Sequence, residues 1–110
     1  LEADQCPVSV AVRVIGGKWK PVILFNLSEG PLRFNELRRK VPRATQKMLT
    51  QQLRELEHDG IVHRKVFPVI PPRVEYSLTD HGRSLKQLLR EMCQWSRRHE
   101  THLRSRKAKR

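Results

Sequence analysis

The chain has 110 residues, 23 of them Lys or Arg against 11 Asp or Glu, for a formal net charge of +12 at neutral pH. That length sets a single small domain as the expectation; 37% apolar and 31% charged residues make a lean core, of the kind self-association commonly supplements, and not a disordered chain. Arg13, Lys18 and Lys20 interrupt the best N-terminal apolar stretch, so no membrane span of roughly 18–20 residues is expected, and the charge makes a polyanion the first partner to consider.

Taken in chain order, the polar, acidic start Leu1-Glu2-Ala3-Asp4-Gln5 is not expected to be a signal peptide. Cys6-Pro7 opens a short helix, Val8 to Ile15, with proline at the first helical position where its missing N–H costs nothing. Gly16-Gly17 stops it. A second helix is predicted over Lys18 to Ser28, with Trp19, Val22, Ile23 and Leu27 on one face. Glu29-Gly30-Pro31 ends it, and Leu32-Arg33-Phe34 reads as a small strand. Asn35 is the expected cap of a third helix, Glu36 to Lys40, closing near Val41-Pro42.

The most regular helix signal follows. Thr45 is a good N-cap, and Met48, Leu49, Leu53 and Leu56 recur at helical spacing until Asp59-Gly60. Ile61 to Phe67 and Val74 to Leu78 read as two strands joined by Pro68-Val69-Ile70-Pro71-Pro72-Arg73, whose prolines cannot continue a ladder. Thr79 is the expected cap of one long final helix with Leu85, Leu88, Leu89, Met92 and Trp95 on its apolar face. The predicted class is α+β, mostly helical: a winged helix-turn-helix over residues 1–96 with a β-hairpin wing, and a basic helical extension or tail over 97–110. Seven basic side chains and one acid fall in that tail. A terminal basic run can be a solvated end as readily as a nucleic-acid contact.

The remaining positive charge has a pattern. A recognition helix needs an apolar face to seat it and a polar face to read bases. The helix at 45–58 offers Gln46, Lys47, Thr50 and Gln51 in its N-terminal half: glutamine suits adenine N6/N7, lysine guanine O6/N7, and threonine a thymine methyl. Arg54, a turn further on, suits a phosphate. An ordinary solvated face would carry the same residue types, but the neighbours favour DNA. Arg33, Arg38, Arg39 and Arg43 precede this helix, and Arg64, Lys65 and Arg73 lie on or beside the hairpin, where a wing tracks a phosphate or a minor groove.

In sequence, Cys6-Pro7-Val8, Ile15-Gly16-Gly17-Lys18-Trp19, Arg33-Phe34-Asn35-Glu36-Leu37, Thr45-Gln46-Lys47-Met48-Leu49-Thr50, Leu53 to Val62, Pro72 to Thr79 and Gly82 resemble the HxlR-type transcriptional regulators, a winged helix-turn-helix branch related to the MarR group. The resemblance covers about residues 6–96. It implies a homodimeric bacterial DNA-binding protein with a reading helix at 45–58, a wing at 66–74, and N- and C-terminal helices that pair the subunits; Val8, Val12, Leu85, Leu88, Leu89, Met92 and Trp95 are the expected interface. The expected location is the cytoplasm, on the nucleoid, where thiols stay reduced, with double-stranded DNA as partner and no membrane.

Some members of that family sense oxidants or electrophiles through the cysteine of the Cys-Pro-Val motif, here Cys6. Its place at a helix start, where the dipole favours negative charge, suits that role. Cys93 lies beside the expected subunit seam, and an intersubunit link to Cys6 needs Cα atoms within about 7 Å. The alternatives are a capping Cys6 and a small, buried Cys93, in a regulator that answers a small-molecule effector instead. A basic module for RNA is the other class left open. Two cysteines make neither a disulfide scaffold nor a zinc site, and His99-x-x-His102 lacks a third ligand. Glu55, Glu57 and Asp59 read as solvated charges. No phosphate loop or nucleophile motif is present, so no cofactor, metal or catalysis is expected.

Overall fold

The computed structural model describes residues 5–108; Leu1 to Asp4, Lys109 and Arg110 lie outside the described residues. Cys6 stands at the N-cap position of α1 (Pro7–Ile15) without a side-chain cap bond, and Pro7 occupies the first turn. Of α1, only Ile15 is buried. Gly17 then takes φ +118°, a conformation that side chains resist, and turns the chain.

The second helix, α2 (Lys20–Leu27), starts later than the spacing predicts and buries a different face: Lys20, Ile23, Leu24 and Leu27 go inward, while Val22 is exposed. The run Val22-Ile23-Leu24-Phe25 is apolar throughout, so its periodicity permits more than one face. The stripe at i, i+3, i+4 and i+7 from Lys20 is the one that packs.

After β1 (Leu32–Arg33) the chain enters α3 (Phe34–Lys40) two residues earlier than expected. Arg33, not Asn35, is the cap. Its N–H donates to the Glu36 carboxylate at 2.9 Å, which satisfies one free donor of the first turn. Thr45 caps α4 (Gln46–His58) as predicted, its Oγ1 accepting the Met48 N–H at 3.1 Å. Leu49, Leu53 and Leu56 are buried, and Gly60 at φ +74° ends the segment.

The strands β2 (Val62–Phe67) and β3 (Arg73–Leu78) form an antiparallel hairpin in register from Val62 opposite Leu78 to Phe67 opposite Arg73. β1 adds to the other edge of β3, with Leu32 opposite Tyr76, so the order is β1-β3-β2.

The final helix is not continuous. Thr79 caps only α5 (Asp80–Arg83), and the chain turns at Ser84-Leu85 before α6 (Lys86–Ala108). The cause lies at the Gly60–Ile61 corner. The Thr79 hydroxyl donates to the Gly60 carbonyl at 2.6 Å and accepts the Gly82 N–H at 2.9 Å. Gly82 is pressed so close that a Cβ would stand 2.1 Å from the Ile61 carbonyl oxygen. The first turn is held by this corner, and Ser84 and Leu85 separate it from α6.

One core joins these elements: Ile23, Leu24 and Leu27 of α2, Leu37 of α3, the α4 leucines, Val62, Tyr76 and Leu78 of the sheet, and Leu89 of α6. Of α6, only Leu89 is buried. Its 23 residues span about 34 Å at 1.5 Å per residue.

Candidate nucleic-acid interface

The same pattern that seats α4 decides what it shows to solvent. With Leu49, Leu53 and Leu56 turned inward, Gln46, Lys47, Gln51 and Arg54 are exposed and Thr50 is half-buried. Together with Glu55 they line one shallow open groove.

Two links from the start of α2 fix the pose of this helix. Lys20 is 7% exposed, and its Nζ lies 2.6 Å from the Glu55 carboxylate. One residue away, the Trp19 backbone N–H donates to Gln52 Oε1 at 3.2 Å. The Lys20 ammonium, through its hydrogen bond and its charge, holds the Glu55 carboxyl below its usual 4.5. Glu55 is therefore no free solvated charge, as the sequence suggested, but a tether. Lys20 and Gln52 were missed altogether. The signal for Lys20 was present: it stands at the first position of the buried stripe of α2, where a lysine demands a partner.

The expected backbone contacts divide into two groups. On and after α3, Arg38, Arg39 and Arg43 are exposed. Arg38 and Arg39 share a groove with Asn35, Pro42 and Ala44, and among the described residues no carboxylate pairs with them. In the wing the charges are more engaged. Strand alternation sends Arg64, opposite Tyr76, to one face and Lys65, opposite Glu75, to the other. Arg33 also lies opposite Glu75, from β1. The Arg73 guanidinium covers the Phe67 ring at 4.2 Å and its Nε lies 3.3 Å from Glu75; Lys65 Nζ stands 4.9 Å from the same ring. Arg73 is thus half committed inside the wing, whereas Arg39 has no carboxylate partner among the described residues.

The residues expected at a subunit seam separate as well. Val8, Val12, Met92 and Trp95 are exposed, and Val10 and Leu103 with them. Leu89 belongs to the core of the chain itself, and Leu85 and Leu88 pack partly against that core. The apolar period of α6 serves two surfaces, one inside and one outside, which a sequence pattern cannot distinguish. Cys6 and Cys93 are free and half-buried. His99 stacks on Trp95 with ring centroids 4.8 Å apart. Among the described residues no helix is long and apolar enough to cross a membrane.

Compared with known proteins, residues 14–104 match the model of the HxlR-like helix-turn-helix family. The chain belongs to that family. It is a transcriptional regulator with a helix-turn-helix domain, and DNA is the partner its family implies. An HTH-type transcriptional regulator of Methanothermobacter thermautotrophicus is 50% identical over 97 residues, covering 88% of this chain and 74% of the relative. Among solved structures, the redox regulator HypR in its reduced form superimposes with a TM-score of 0.86 at 50% identity, over 91% of this chain and 99% of HypR. Its oxidised form gives 0.80 at 53%, over 84% and 95%. The winged helix read from the sequence is thus the fold of the HxlR-like family.

Proposed function

We propose that this HxlR-like regulator is a homodimeric, sequence-specific repressor whose two α4 helices enter successive major grooves of an inverted repeat, about 34 Å apart. The observation that carries this reading is the division of α4 into a leucine face locked in the core and an outward face of Gln46, Lys47, Thr50 and Gln51. Those four are assigned to base edges. Arg33, Arg38, Arg39, Arg43, Arg54, Arg64, Lys65 and Arg73 are assigned to phosphates and the wing contact.

Dimerisation is supported by the apolar side chains that α1 and α6 leave in water: Val8, Val12, Met92 and Trp95. Repression follows from occupancy of a promoter by such a dimer. Cys6, half-buried at the start of α1 beside the exposed valines, is assigned as an oxidant-responsive thiol, a role supported by the likeness to a redox regulator. A thiol event there would change how the subunits pair and so the spacing of the two reading helices.

Binding-site selection from a random duplex library, with and without diamide, tests the reading. The expected product is an inverted repeat whose recovery falls on oxidation of the wild type but not of Cys6→Ser. No enrichment, or better binding to RNA, would remove the DNA assignment. An unchanged oxidant response in Cys6→Ser would leave DNA reading intact and make the cysteines inert.

A further inference from the structure

The tip of the wing differs from everything around it. Phe67-Pro68-Val69-Ile70-Pro71-Pro72 carries no charge, yet Ile70 is 100% exposed, and Val66 and Val69 are 50% and 51% exposed. Large apolar side chains grouped in this way mark a surface that meets a partner. The tip is also stiff. Three prolines fix their own φ angles, and the Val69 N–H donates to the Phe67 carbonyl at 2.8 Å. Contact there loses little conformational freedom. At its base stand Lys65 and Arg73, the latter paired with Glu75, with Arg64 on the opposite face of the hairpin, and Arg33 lines a groove of about 580 Å³ together with Ile70 and Arg73. A cationic collar around an apolar point has the complementarity of a duplex edge: phosphates for the collar, the minor groove between them for the point. Isoleucine is among the side chains that slip between base pairs there.

We propose that Ile70, backed by Val69, is a wedge that enters the minor groove beside the sequence read by α4 and opens one base step. The inference rests on the DNA-reading assignment above and adds to it a deformation of the duplex. Opening a step kinks the DNA, and pyrimidine–purine steps unstack most easily. The wing therefore selects sequence at a base pair that none of its polar side chains touches.

The test uses the full chain and a duplex recovered by selection, with donor and acceptor dyes at its ends and 2-aminopurine at the step beneath the wing. Wild type is expected to bring the ends together, to raise the 2-aminopurine fluorescence, and to lose affinity about tenfold when a TA step there becomes AA. Ile70→Ser is expected to bind without shortening the duplex, to leave the probe quenched, and to treat the two steps alike; Ile70→Leu is expected to restore all three. Because Ile70 is fully exposed, the fold should be unaffected, which circular dichroism checks. If Ile70→Ser bends and unstacks the duplex as wild type does, the wedge is overturned while DNA reading by α4 stands. If wild type enriches no duplex, both fall. If the substitution changes the sedimentation coefficient of DNA-free protein, the tip is a contact between copies and the wedge is wrong.

Discussion

Lys20 and Glu55 tie the posture of α4, the proposed reading helix, to the element behind it. The ammonium is buried and its partner carboxylate is not, so removing the carboxylate strands a charge away from water. Glu55 has a folded pKa below its usual 4.5. The carboxylate thus stabilises the fold above that ordinary value, and the contribution disappears as pH falls through the lower folded one. Thermal unfolding of wild type and Glu55→Gln should differ at neutral pH and converge in acid; a constant gap across that window would refute the tether. At the DNA face, Gln46→Ala or Thr50→Val should relax preference at one base position by about 1–3 kcal/mol. Arg39→Ala should instead weaken all duplexes alike and reduce the salt slope by about 1. Arg73→Ala should do so less, because Glu75 and Phe67 already engage that guanidinium. Anisotropy titrations across a panel of duplexes and salt concentrations distinguish these outcomes.

Among the elements, those with strong local chemistry were legible. Thr45 with its leucine stripe gave α4, and the two alternating runs with a proline link gave the hairpin. What was not legible depended on tertiary choice. The uniformly apolar run in α2 hid its buried face, Glu36 moved a cap from Asn35 to Arg33, and the break between α5 and α6 comes from Gly82 meeting Ile61. Gly82→Ala should therefore destabilise by roughly 1–3 kcal/mol, since the obstructing atom belongs to the backbone. Leu53→Ala, which leaves a void beneath the reading helix, should cost about 2–5 kcal/mol in chemical denaturation. Of the candidate site, the residue types on α4 were readable from spacing. The unequal freedom of Arg39 and Arg73 was not, because it is set by neighbours across the sheet.

For the whole molecule, the free apolar surface and the +12 charge act together. α6 leaves Met92, Trp95 and Leu103 exposed, and α1 adds Val8, Val10 and Val12. Placing charge in that surface, as in Val12→Asp with Trp95→Glu, should yield monomers in sedimentation velocity, with the helical content kept. In the proposed dimer two half-sites double the phosphate contacts, so the monomer should also show a shallower salt dependence. The division of α4 into an inward and a reading face then meets its sharpest test in the base-preference profile of Gln51→Ala beside wild type, recorded by selection from one random library. The expected profile for wild type is an inverted repeat, and for the variant the same repeat with preference lost at one symmetric pair of positions. An unchanged profile, or loss spread evenly over all positions, would contradict it.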